Sequence, residues 1–247
     1  MITDPWFYAV AVPAVLMMGL AKSGFGAGLG SLATPLLALA VPVPQAAAIM
    51  LPLLFVMDAV GVKALWHQRD RALTRLLIPA GLAGTAIGTA SFGMLSPKAV
   101  AGIVGALTLV FLAQRLAFPP QADAKPPPRW LGRVLGVASG FTSFVAHAGA
   151  PPVSAYVLPL RLAPMTYIAT MATFFAAINL SKWLPYAWLG LLDARNLTTS
   201  LVLLPLAPVG VWVGVRLVPR LRSEVFYRLV YAGMFLTGTK LLWDALR

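Results

Sequence analysis

The chain has 247 residues, of which 60% are hydrophobic and only 11% charged, with a mean hydropathy of +0.84. Apolar runs of about 20 residues recur almost end to end, which excludes a soluble domain of this size and identifies a membrane protein. The formal charge of +12 would suggest nucleic acid in a soluble protein, but here Lys and Arg lie in short connectors between apolar runs; they mark topology, and no nucleic-acid partner is expected. Cysteine is absent, which excludes disulfides, thiol chemistry and Cys-based metal sites.

Asp4 and Pro5 lead straight into the first apolar segment, at about 6–21, with no basic region before it. This segment is expected to stay in the mature chain rather than be cleaved as a signal peptide. Further segments follow at about 28–41, 45–66, 73–95 and 97–118. Pro119 to Arg129 then forms a charged connector, stiffened by Pro126, Pro127 and Pro128. Segments at about 130–145, 151–160, 164–189, 195–218 and 223–246 complete the chain. In each half the first two are short and flank a run of small residues, broken or re-entrant. The other three are long enough to cross a bilayer at about 1.5 Å per residue. The expected fold class is all-α: a polytopic, multi-pass protein of the cytoplasmic (inner) membrane with two repeats of five helical segments, residues 1–118 and 130–247, joined by a cytoplasmic linker at 119–129.

The two halves share their punctuation. A shift of 117 places Gly19 on Gly136, Pro35 on Pro152, Pro42 on Pro159 and Trp66 on Trp183, and a shift of 126 places Pro79, Gly84 and Gly88 on Pro205, Gly210 and Gly214. Charge gives their relative orientation. The connector after the third segment carries His67, Arg69, Arg71 and Arg75, whereas its counterpart holds Asp193 and Arg195. After the fourth segment the bias reverses, with Lys98 alone in the first half against Arg216, Arg220 and Arg222 in the second. Equivalent loops therefore face opposite sides, as in the inverted repeats of many secondary transporters, and the basic loops are expected in the cytoplasm.

Chemistry is expected where the backbone is broken. Three alternating glycines in Lys22-Ser23-Gly24-Phe25-Gly26-Ala27-Gly28 disfavour an uninterrupted helix, at roughly 1 kcal/mol each against Ala. In a bilayer the freed backbone groups must be satisfied by protein, water or solute, so such a break lines a cavity. Amides at the following helix start form an anion site that needs no metal or cofactor. The second break runs from Thr142 to Pro152 and offers Ser143, His147 and Gly149.

Among the polar residues inside apolar segments, Lys63 and Trp66 read as snorkelling at a membrane surface. Lys182 follows Asn179 and Ser181 and either snorkels or faces solute. Lys22 either holds the end of a short helix or supplies charge to an anion. Asp58, the only acid well inside a segment, either pairs with a lysine or couples transport to protons. His147 is either a hydrogen-bonded core imidazole or a solute contact whose protonated ring adds charge. Gly84/Gly88 and Gly210/Gly214 have the spacing of close helix crossings.

Gly24-Phe25-Gly26-Ala27-Gly28 followed by Pro35-Leu36, a basic loop and a Gly-rich fourth helix resembles the TauE/SafE family of sulfite exporters, also called the 4-toluene sulfonate uptake permease family. Gly140-Phe141-Thr142-Ser143-Phe144 and His147-Ala148-Gly149-Ala150-Pro151-Pro152 resemble one branch of it. Ala27 stands where many members have Gly, and the second motif is less Gly-rich than the commoner pattern. The resemblance implies a carrier of sulfite, an organosulfonate or another small sulfur-containing anion. The expected contacts are Lys22, Ser23, Gly24, Phe25, Gly26, Gly28, Ser143, His147, Gly149, Asn179 and Lys182, with Asp58 the candidate for proton coupling. A homodimer is an open alternative to a monomer. The competing classes are an anion channel and, on the spacing of Ser143 and His147, an intramembrane hydrolase; with no G-x-S-x-G element, no HExxH and two His in all, no enzyme is expected.

Overall fold

A computed structural model describes residues 1–22, 30, 33–34, 36–92, 94, 96–117, 126–217 and 222–246. The Ser23–Gly28 break therefore lies outside the described residues. Eleven α-helices are described: α1 (Pro5–Leu20), α2 (Val43–Leu65), α3 (Arg71–Ala90), α4 (Pro97–Ala117), α5 (Arg129–Ala146), α6 (Ala150–Val157), α7 (Pro164–Ser181), α8 (Trp183–Trp188), α9 (Ala194–Leu203), α10 (Leu206–Leu217) and α11 (Ser223–Leu246). Short 3₁₀ turns extend α2 over Trp66–Gln68 and α6 over Leu158–Leu160.

Local chemistry accounts for the boundaries. Three of the few carboxylates are helix N-caps: Asp4 accepts from Trp6 N, Asp70 from Ala72 N and Leu73 N, and Asp193 from Asn196 N. The expected segment at 164–189 is broken between α7 and α8. Pro185 has no N–H for Ser181 O, and its ring crowds that carbonyl. Pro205 likewise breaks the expected segment at 195–218 into α9 and α10, which meet at a bend of 46°. Its counterpart Pro79 is absorbed within α3, which ends at Ala90 rather than near residue 95, with Ser91 Oγ bonded back to Ile87 O.

Among the described residues two helices are long and apolar enough to cross a membrane, Pro44–Gln68 and Arg71–Ala90; the bent pair Ala194–Leu203 and Leu206–Gly214 makes a third if taken as one span. The expected all-α class is present, but among the described residues the ten segments narrow to these two or three candidate spans. Proline breaks shorten the helices, and α7 carries Thr170, Thr173, Asn179 and Ser181 within its apolar run.

The most extensive packing joins α3 to α5, α4 to α11, α1 to α10 and α2 to α7. Small residues make the crossings close, as bilayer packing favours. A Cβ on Gly19 would lie 2.7 Å from Gly210 Cα, and one on Gly84 would collide with the carbonyl of Val137 and lie 2.8 Å from Phe141 N. Gly88 faces the Phe144 side chain in the same way. Two large apolar clusters result among the described residues, beside two smaller ones. One groups Leu73 and Leu77 of α3 with Val153 and Tyr156 of α6 and Ile168 and Phe174 of α7. The other groups Leu203 and Val211 of α9 and α10 with Ala33 and Leu37, Val15 of α1 and Met50 of α2.

Candidate functional site

Between these clusters lies a cavity of about 60 Å³. One face of α7 forms its longest wall: Tyr167, Ile168, Met171, Ala172, Phe175 and Asn179 recur at helical spacing. Opposite are Met18, Ala21 and Lys22, where α1 widens into a π-helical turn, together with Leu54 of α2. The second break closes the end with Ser143, His147 and Ala150.

That break has a defined geometry. α5 stops at His147, which takes a left-handed backbone at φ 52°, while His147 N bonds Ser143 O at 3.0 Å and Ala148 N bonds Thr142 O at 3.3 Å. Ser139 Oγ donates to Gly149 O at 2.6 Å and Thr142 Oγ1 to Ala148 O at 3.1 Å, so the broken backbone is tied to the helix it leaves. Tyr186 reaches back from α8 to donate to Phe144 O at 2.6 Å.

Lys182, at the Pro185-induced break, turns inward and is completely buried. Its Nζ lies within hydrogen-bonding distance of four atoms: Ser143 O and Ser143 Oγ, both at 2.7 Å, Asn179 Oδ1 at 2.9 Å and His147 Nδ1 at 3.0 Å. Its partners reveal its charge. Ser143 O can only accept. Asn179 is oriented by Nδ2, which donates to Asp58 Oδ2 at 2.6 Å, so Oδ1 is the atom that faces the lysine. His147 Nε2 lies 3.0 Å from Ala47 O, which also only accepts; Nε2 therefore holds the ring proton and Nδ1 accepts. Three obligate acceptors match the three protons of an ammonium. Ser143 Oγ is then left with its own proton to donate, at the cavity wall.

Asp58, 3% exposed, completes the network by accepting from Lys22 Nζ at 2.6 Å through Oδ1. The Lys22 ammonium also lies 5.0 Å from the centre of the Phe175 ring. Among the described residues, Lys22, Asp58 and Lys182 are the charged side chains at the cavity wall or directly behind it. Their sum is one positive charge.

Several sequence expectations are sharpened and some corrected. Lys22, Ser143, His147 and Asn179 do line one cavity. Lys182 neither snorkels nor faces the cavity; it stands one layer behind, because the carbonyl end of α5 and the Asn179 amide draw it inward. Gly149 is also behind the wall, packed so that a Cβ would lie 2.6 Å from Ser139 O. His147 is not a free donor, since both ring nitrogens are engaged, and its ring enters the wall as a neutral bridge. For the same reason it cannot serve Ser143 as a base, which removes the hydrolase reading. Amides are scarcer at this break than expected, because Pro151 and Pro152 in the first turn of α6 have no N–H. Ser23, Gly24, Phe25, Gly26 and Gly28 lie outside the described residues. Lys63 and Trp66 are exposed, and Arg69 stacks 3.3 Å from the Trp66 ring centre, in keeping with a membrane-surface role.

The sequence reading missed the apolar half of the wall, Met18, Met171 and Phe175. The signal was present: Ile168, Met171, Phe175 and Asn179 form a single-face stripe at steps of three and four that ends in a polar residue. Compared with curated proteins and with solved structures, the chain gives no match. The family model of the sulfite exporter TauE/SafE, however, matches residues 11–241, a range that includes every described residue of the cavity wall and its charge network, and the chain belongs to that family.

Proposed function

We propose that the protein is a secondary transporter that moves a small sulfur-containing anion, sulfite or an organosulfonate, across the cytoplasmic membrane by alternating access. Proteins of its family are transporters and not enzymes. The observation that carries the reading is a cavity whose wall offers the Lys22 ammonium, the Ser143 hydroxyl and the Asn179 amide, with two lysines against one carboxylate at the wall and directly behind it. A buried charge without a partner is costly, and an anion is the partner that this site lacks.

The helix pairing supports two related halves. The fourth segment of each half packs on the first of the other, α3 on α5 and α10 on α1, while third meets third and fifth meets fifth. Glycines lie at both of the fourth-on-first crossings: Gly19 meets Gly210, and Gly84 meets Val137 and Phe141. Two inverted repeats joined by the 119–129 linker would produce this reciprocity, with the cavity between them and the basic loops inside the cell. For Asp58 we favour the structural alternative over proton coupling, because Lys22 and Asn179 occupy both carboxylate oxygens.

Flux into proteoliposomes tests the reading. Sulfite uptake should saturate with concentration, and for methanesulfonate, whose single charge does not change with pH, Asp58→Asn should respond to an imposed pH gradient as the wild type does. Non-saturating flux would indicate a channel, absence of flux for sulfite and short sulfonates would refute the anion assignment, and a gradient response lost in Asp58→Asn would restore proton coupling through this residue.

A further inference from the structure

Resting on that reading of the cavity, we propose that Asp58 determines the valence of the anion: the site accepts a singly charged oxyanion and discriminates against a doubly charged one. The three fixed charges are linked in series. Lys22 bonds Asp58 Oδ1 at 2.6 Å, Asp58 Oδ2 accepts from Asn179 Nδ2 at 2.6 Å, and Asn179 Oδ1 accepts from Lys182 at 2.9 Å. The carboxylate thus offsets one of two ammonium groups, leaving an excess of one.

The excess charge governs selection because it is buried. Asp58 and Lys182 are closed off from solvent, Lys22 is nearly so, and the rest of the wall is Met18, Leu54, Ile168, Met171, Ala172 and Phe175. In such surroundings neither water nor salt screens a surplus charge effectively. A monoanion brings the site to neutrality, whereas a dianion leaves one negative charge beside Asp58 with no counter-ion. Lys182 spends its protons on Ser143 O, Asn179 and His147, so it acts on the solute through its field. Lys22 is the cation at the wall itself. Among the described residues Asp58 is its hydrogen-bond partner, and an ammonium has two further protons for a solute.

Two tetrahedral probes of similar size and fixed charge test this: methanesulfonate, a monoanion, and sulfate, a dianion, titrated calorimetrically into the purified full-length protein at constant ionic strength. The wild type should bind methanesulfonate at least about tenfold more tightly than sulfate. Asp58→Asn raises the excess to two charges and should shift that ratio at least about tenfold toward sulfate. The double variant Asp58→Asn/Lys22→Gln returns the excess to one and should recover the preference for methanesulfonate. It also removes the orphaned ammonium along with its partner, so it tests the proposal even where the single variant does not fold. Equal wild-type affinities, an unchanged ratio in folded Asp58→Asn, or sulfate preference in the double variant would each overturn the valence rule while leaving anion transport standing. If neither probe nor sulfite binds the wild type, the anion reading falls with it.

Discussion

Replacing Lys182 by Met removes the ammonium but nearly preserves the length of the side chain. It leaves Ser143 O, His147 Nδ1 and Asn179 Oδ1 without their donor in a site where Lys182 itself has no solvent exposure. A buried acceptor left unpaired costs about 1 kcal/mol or more, so three give about 3 kcal/mol. Relief from burying a charge offsets part of this, but the Lys22–Asp58 pair remains and gains nothing from the change. The net expectation is destabilisation by about 1–3 kcal/mol. Denaturant unfolding in detergent micelles, followed by the fluorescence of the seven tryptophans, measures it. Lys63→Met, at an exposed position on α2, is the control and should shift the midpoint little. A Lys182→Met protein as stable as that control would refute the assignment of Lys182 as an ammonium with three obligate acceptors.

Tyr186→Phe removes the hydroxyl that donates to Phe144 O at 2.6 Å and should destabilise by about 1–2 kcal/mol in the same assay. Gly210→Val places branched carbon against the Gly19 backbone and should prevent assembly of α1 on α10, read as loss of the monodisperse peak in size-exclusion chromatography; a well-behaved variant would show that the crossing tolerates side chains. Gly190 has φ 70° with nothing within 4 Å, so Gly190→Ala should cost about 1 kcal/mol through backbone conformation alone, and an unchanged midpoint would argue against the left-handed turn. Single cysteines introduced at positions 71, 98, 193 and 220 of this Cys-free chain should label 71 and 220 from one side and 98 and 193 from the other; labelling of 98 and 220 together would contradict inverted repeats.

Much of the fold was legible because it rests on local punctuation. Gly and Pro positions located the second break, and glycines that the repeat singled out sit at close crossings, Gly19 at Gly210 and Gly84 at Val137; the pairs that the shifts match, Gly19 with Gly136 and Gly84 with Gly210, are equivalent positions and not the ones that touch. The breaks at Lys182 and Leu204 were also encoded, by Pro185 and Pro205, but Pro79 sits within an intact helix, so proline alone does not decide. The candidate site was legible as a set of residues and not as a network. Lys22 and Asp58 are 36 positions apart, and Asp58 and Asn179 are 121 apart; helical periodicity relates neighbours a turn apart and says nothing about such pairs. Lys182 shows the consequence. Its neighbours Asn179 and Ser181 marked a polar cluster, but only the tertiary approach of α5 shows that its protons are taken by Ser143, His147 and Asn179.

The central claim is that the cavity at Lys22, Ser143 and Asn179 holds a small oxyanion, and locating that anion tests it most directly. Selenite, the selenium analogue of sulfite, scatters anomalously. Crystals of the wild-type protein grown with it should show one selenium peak in the cavity, with oxygens within hydrogen-bonding distance of Lys22 Nζ and Ser143 Oγ. The peak should disappear in Lys22→Gln. A peak elsewhere in the protein, or one that persists in the variant, would contradict the account.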